Sequence, residues 1–274
     1  MEATASSVRP LWHPQLSDPS GARDAKPRRF GLTMVIDKGL GMHAFEDLLA
    51  TAGDHVDIVK LAFGTSPLYP DGVLRRKIAL ARRRGGSVIP GGRLQETAVR
   101  QDMVPSFFRS ALELGFDAVE VSDGTIELPR PLRTELIAMA RSLGFRVFTE
   151  FGKKKAGSRL DAEELLRVAE RDREAGAELV IVEARESGTV GLFDEGGALR
   201  EGDLERIRRA VGDHRRFLWE APRKEQQVAL LHAFGPQVNL GNIPAQDVLA
   251  LEAMRRGLRS DTFGLQQCVP EYVI

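Results

Sequence analysis

The chain has 274 residues, 42% hydrophobic and 28% charged, within the range of an ordinary globular protein. Its 39 lysines and arginines balance 39 aspartates and glutamates, so nothing global attracts nucleic acid or an anionic membrane. The single cysteine, Cys268, excludes an intrachain disulfide, no apolar run reaches the roughly 18 residues that span a bilayer, and the N-terminus has no signal-like apolar region; the reading is cytoplasmic.

Residues 1–29 hold four prolines among serines and arginines and read as a flexible N-terminal leader, with Trp12 and Leu16 as the side chains able to dock it. From Phe30 onward the pattern becomes regular. Short apolar, β-rich runs fall at Leu32–Ile36, Asp57–Ala62, Ser87–Ile89, Ala118–Val121, Arg146–Phe151, Leu179–Glu183, Phe217–Trp219 and Val238–Leu240. Most are continuously apolar, as expected of parallel strands covered on both faces. Helical spacing fills the intervals: Pro105–Leu114, Leu132–Leu143, and Ala162–Glu174 behind an Asp161 N-cap. Gly115, Gly144, Gly176 and Gly235 stand where a left-handed residue ends a helix before the next strand. Eight alternating βα units within one chain of this length predict a single-domain α/β fold, a (β/α)8 TIM barrel over residues 30–264, followed by a C-terminal tail at 265–274. The competing open sheet with a dinucleotide site is disfavoured, because no GxGxxG follows the first strand.

In a barrel, the loops after the strands carry the chemistry. Here those positions are charged: Asp37-Lys38, Lys60, Arg93 and Glu96, Glu120, Glu150 with Lys153 and Lys154, Glu183 with Arg185, and Glu220. A buried charge costs several kcal/mol unless paired or neutralised, so a purely structural core would not place one at nearly every strand end. Glu150, Glu183 and Glu220 end successive strands, and their oxygen ligands suit Mg2+ better than Zn2+. The basic groups and the glycine turns at 64–66, 91–92 and 241–242 suit a phosphorylated or otherwise strongly anionic substrate. The string Arg255–Thr262 adds cationic capacity. The five histidines show no metal-ligand spacing and are expected on the surface or in packing roles.

These strand-end strings, among them TMVIDKGL from Thr33, VEVSDG from Val119, TEFGKK from Thr149, EARESG from Glu183, EAPRKEQQ from Glu220, VNLGNI from Val238 and GLRSDT from Gly257, resemble the phosphosulfolactate synthase family over about residues 30–264. The resemblance implies a barrel enzyme, a carbon–sulfur lyase that adds sulfite to phosphoenolpyruvate with Mg2+ and gives 2-phospho-3-sulfolactate. It further implies Lys153 as the first choice for the general acid with Lys154 as the second, and Asp37, Glu150, Glu183 and Glu220 as metal residues. The candidate substrate-binding residues are Lys38, Lys60, Arg93, Gln95, Arg185, Asn239 and Arg259. A homo-oligomer fits the same resemblance; nucleic acid and membranes are not expected partners. Two departures stand near the expected mouth, Arg93 where the family commonly has Thr and Gln95 where it commonly has Phe. They raise two alternatives: an enzyme of the same family that adds a different nucleophile to phosphoenolpyruvate, with Arg93 and Gln95 meeting a larger or differently charged second substrate, or a noncatalytic relative associated with heat stress.

Overall fold

The computed structural model describes residues 12–153, 159–185 and 187–267. Eight strands, β1 (Thr33–Asp37), β2 (Ile58–Leu61), β3 (Ser87–Ile89), β4 (Ala118–Val121), β5 (Arg146–Phe151), β6 (Leu179–Val182), β7 (Phe217–Glu220) and β8 (Asn239–Pro244), form one parallel sheet in the order β3-β2-β1-β8-β7-β6-β5-β4. The two edge strands, β3 and β4, approach within 8 Å between Cα atoms, so the sheet curls into a nearly closed barrel. The helices are α1 (Pro14–Ser17), α2 (Met42–Ala52), α3 (Asp71–Arg83), α4 (Gly92–Arg100), α5 (Val104–Leu114), α6 (Arg130–Ser142), α7 (Ala162–Ala175), α8 (Glu201–Ala210), α9 (Lys224–Phe234) and α10 (Val248–Arg255). This is the expected TIM barrel. Among the described residues no helix is long and apolar enough to cross a membrane.

The apolar strands bury both faces. Met34, Ile58, Ile89, Ala118, Phe148, Ile181 and Leu218 fill the barrel interior, while Val35, Val59, Val119, Val147, Val180 and Trp219 point outward into the layer beneath the helices. Local signals set the helix ends. Asp161 Oδ1 accepts the backbone N–H groups of Glu163 and Glu164 at 2.9 and 3.0 Å and starts α7, which ends at Gly176 with φ 114°. That value lies in the left-handed region, where a residue without Cβ is unstrained.

Residues 23–28, read as part of the leader, make defined contacts with the barrel. Arg23 bonds Glu252 of α10 at 2.9 Å, Arg28 bonds Asp57 at 3.1 Å, and Lys26 donates to the carbonyl of Gly53 at 2.9 Å, which fastens residues 23–28 across the N-terminal end of the barrel. Trp12 and Leu16 themselves remain exposed. Strand β8 is longer than its apolar run: it continues through Gly241 and Asn242 to Pro244, carried by pairing with β1 and β7. Cys268 lies outside the described residues.

Candidate active site

Side chains two apart on a strand share a face. In five strands an inward apolar residue is followed two positions later by an inward charged one: Ile58 then Lys60, Ala118 then Glu120, Phe148 then Glu150, Ile181 then Glu183, Leu218 then Glu220. The barrel therefore has an apolar lower layer and a charged upper layer, closest to the C-terminal strand ends. All five charged residues are buried.

Lys60 is the centre of this layer. Its Nζ lies 2.9 Å from Glu120, 3.3 Å from Glu220 and 3.8 Å from Glu150. Burial works to discharge the ammonium, but Glu120, Glu220, Glu150 and Glu183 outweigh it and hold its pKa well above the ordinary lysine value. Lys60 thus stays protonated and acts as a fixed positive charge. Glu150, Glu183 and Glu220 each present one carboxylate oxygen, and these three oxygens lie within 4.8 Å of one another. Clustered hard oxygen donors of this kind are what a divalent cation such as Mg2+ takes. The carboxylates are oriented by their surroundings: Ser122 Oγ donates to Glu150 at 2.8 Å, Ala184 N–H donates to Glu220 at 3.1 Å, and Arg185 N–H donates to Glu183.

Above this floor opens a cavity of about 240 Å3, lined by Lys60, Glu120, Glu183 and Glu220 together with Phe63, Gly92, Arg93, Arg185 and Asn242. Gly92 is required there: a Cβ would stand 2.4 Å from Ser122 Cβ and 2.6 Å from Glu120 Oε1. Arg93 reaches across the rim, 3.6 Å from Glu96 and bonded to Thr125. Phe63, Arg185 and Asn242 have φ values of 58°, 61° and 54°, a left-handed backbone that costs free energy for residues with a side chain. Three such residues lining one cavity single it out as the candidate mouth.

Of the expected residues, Lys60, Arg93, Arg185, Glu150, Glu183 and Glu220 come together here. Lys38 is exposed in the turn after β1. Lys153 lies just beyond β5, with Nζ donating to the Asp123 carbonyl at 2.7 Å, the Asp123 carboxylate at 3.1 Å and the Ile126 carbonyl at 3.2 Å. It faces a neighbouring cavity of about 540 Å3 that also touches Glu150, Arg130 and Arg159. Lys154 lies outside the described residues.

Four of the expected residues sit apart from this cluster. Asp37 is fully buried in an ion pair with Lys77 at 2.5 Å and accepts from the N–H groups of Gly39 and Leu40 at 2.9 and 2.8 Å, so its carboxylate is engaged in the β1 turn and is not among the clustered oxygens of Glu150, Glu183 and Glu220. Gln95 is buried behind the mouth, where its Oε1 accepts from Ser122 N–H at 2.9 Å. Asn239 opens β8 at the opposite end of the barrel; it accepts from Leu32 N–H at 3.0 Å and donates to the Arg215 and Phe217 carbonyls at 2.8 and 3.0 Å. Arg259 follows α10 and leans on Asp261 at 3.7 Å, on the outer surface against α9. Its neighbour Arg255 confirms the direction of that helix by capping the Val238 and Leu32 carbonyls at the strand starts, at 2.6 and 3.1 Å. Glu120, Ser122 and Asn242 also stand at this site; Glu120 was read as a strand-end charge and Asn242 as part of a glycine turn, but none of the three was given a metal, substrate or catalytic role. Glu120 was legible in principle, since it shares the inward face with Ala118 just as Glu150 does with Phe148.

Fold and site together define a TIM-barrel enzyme whose mouth pairs a carboxylate cluster with fixed cations. The chain belongs to the (2R)-phospho-3-sulfolactate synthase (ComA) family, whose model matches residues 21–261. It is 41% identical to the phosphosulfolactate synthase of Methanothermobacter thermautotrophicus over 245 residues, covering 88% of this chain and 95% of that one. It is 40% identical to the Bacillus subtilis phosphosulfolactate synthase, covering 89% and 96%. Among solved structures the Escherichia coli YdjI aldolase has a TM-score of 0.55 at 13% identity over 86% of this chain and 84% of that one, which speaks to the fold alone.

Proposed function

We propose that this enzyme is a phosphosulfolactate synthase that joins sulfite to phosphoenolpyruvate in a Mg2+-dependent reaction in the cytoplasm. The observation that carries the reading is the convergence of Glu150, Glu183 and Glu220 beside Lys60 beneath a rim bearing Arg93 and Arg185. The sulfur lone pair of sulfite attacks C3 of the enolpyruvate, the C2–C3 π pair moves toward the carboxylate, and C2 then takes a proton. Glu150, Glu183 and Glu220 would hold Mg2+, which when bound supplies Lewis-acid neutralisation of the charge that gathers on the substrate carboxylate. Lys60 contributes a permanent positive charge that needs no reorganisation during the reaction. Arg185 and Arg93 offer planar donor forks for carboxylate, phosphate or sulfonate oxygens. Lys153 is the proton donor in this reading, and to act its ammonium must turn from Asp123 toward the mouth. Of the two departures from the family pattern, Arg93 bears on the second substrate, since it lines the cavity while Gln95 does not.

The test is turnover of purified protein with phosphoenolpyruvate, sulfite and Mg2+, followed by phosphorus NMR and product mass. The expected outcome is one adduct of both substrates, lost on chelation and in Lys153→Ala. Phosphoenolpyruvate consumed only with another nucleophile would move the assignment to a sister activity. No consumption at all would end it.

A further inference from the structure

Strand β8 contains an irregularity that the fold does not need. Thr33 of β1 pairs with Leu240, yet Val35 pairs with Ile243, so β8 holds one extra residue between these rungs. Bulges are rare between parallel strands and re-aim side chains where they occur. Gly241 sits on the inner face, because a Cβ there would stand 2.3 Å from Leu218 Cδ2 and 2.8 Å from Met34 Cε inside the barrel. Strict alternation would turn the next residue outward, under the helices. The extra residue, with φ 54° at Asn242, instead keeps that side chain in the mouth.

There Asn242 is 3% exposed, and its Oδ1 has no hydrogen-bond partner among the described residues. Other buried amide oxygens and nitrogens are used: Asn239, at the far end of β8, makes three bonds, and Gln226 donates to the Gly188 and Gly197 carbonyls at 2.8 and 3.1 Å. An unsatisfied buried amide costs stability, and so does a left-handed asparagine. Both costs fall on one residue whose side chain faces the cavity. A half-turn about χ2 exchanges its oxygen and nitrogen, so the same position can present N–H to an anion.

We infer that Asn242 is a substrate-contacting residue whose amide hydrogen-bonds an oxyanion oxygen of the bound substrate at the β8 edge of the mouth. The inference rests on the phosphoenolpyruvate reading above and adds to it a neutral donor in the cavity that Glu220, Arg93 and Arg185 also line. It discriminates by geometry and not by charge.

Calorimetric titration of phosphoenolpyruvate in Mg2+ tests it with wild type, Asn242→Gly and Asn242→Asp. Glycine tolerates the left-handed backbone, so Asn242→Gly removes the amide while keeping the bulge. Its affinity should fall about tenfold or more, the loss of one hydrogen bond to a charged group. Asn242→Asp should fall further, since it sets a carboxylate against an anion, with both variants melting close to wild type. Asn242→Gly binding as tightly as wild type overturns the inference and leaves Asn242 a backbone device. Asn242→Asp that holds Mg2+ more tightly without weakening phosphoenolpyruvate also overturns it, making Oδ1 a metal ligand. Wild type that binds no phosphoenolpyruvate ends both this inference and the proposed reaction, whereas the first two outcomes leave the reaction standing.

Discussion

Lys60 is a single ammonium in contact with three buried carboxylates, and its removal is therefore informative. Lys60→Met preserves volume but takes this cation away from Glu120, Glu150 and Glu220 inside the barrel, where breaking a buried pair costs about 3 kcal/mol or more. In that variant one or more of these carboxyls stays protonated in the folded state to a higher pH than in the unfolded chain. The folded state then binds more protons, so stability falls as pH rises above the ordinary carboxylate range. Urea melts at pH 5 and pH 8 should show Lys60→Met losing much more stability at pH 8; equal losses at both would mean that the cluster does not depend on this charge. Residue type alone made Lys60, Glu150, Glu183 and Glu220 legible in the sequence, because a charge directly after an apolar strand run is hard to explain otherwise. Asp37 had the same strand-end signature but another partner, whereas Gln95, Asn239 and Arg259 carried no such signature and were expected from the motifs in which they stand. Lys77 reaches Asp37 from α3, and Ser122 reaches Gln95 from the end of β4. Such pairings depend on which helix packs where, and nothing local in the chain states it.

At the scale of elements, apolar runs and helix caps were enough to place the eight strands and the α7 start, and they failed where an element is held by pairing alone. Strand β8 runs on through Gly241-Asn242 because β1 and β7 supply its ladder. The segment 23–28 is polar, yet it is fixed by ion pairs at the barrel bottom. Its strongest link is Glu252 on α10, bonded to Arg23 and to Arg256, the latter at 2.8 Å. Burial pushes the Glu252 carboxyl up, but the Arg23 and Arg256 bonds outweigh this and hold its pKa at about 2, down from 4.5. A depressed carboxylate pKa gives stability that is present above the unfolded value and lost as pH falls toward the folded one. The window is therefore pH 4.5 down to 2, and the linked contribution is about 3 kcal/mol. Glu252→Gln should melt lower at pH 7 and show a flatter decline than wild type between those pH values. Proteolysis should also cut residues 23–28 faster in that variant. Parallel acid profiles for the two proteins would show that the link is not what anchors the segment.

The whole molecule carries a formal net charge of zero, so its stability should respond little to general ionic screening. The mouth is different, because four buried carboxylates gather around Lys60 in the interior of the same domain that must stay folded. A cation bound at Glu150, Glu183 and Glu220 binds the closed barrel and not the unfolded chain, where these residues lie far apart. Linkage then stabilises the fold by about 2.7 kcal/mol at a hundred times the dissociation constant, which raises the melting temperature of a chain this size by roughly 5–10 °C. Scanning calorimetry should therefore find a saturable rise with MgCl2 that NaCl of equal ionic strength does not reproduce. Glu183→Gln should lose most of that rise while keeping its fold, since one cluster oxygen becomes a neutral amide. Glu252→Gln, at the other end of the barrel, should retain it in full. A Mg2+ response that survives Glu183→Gln would place the cation elsewhere and would separate the carboxylate cluster from the chemistry proposed for it.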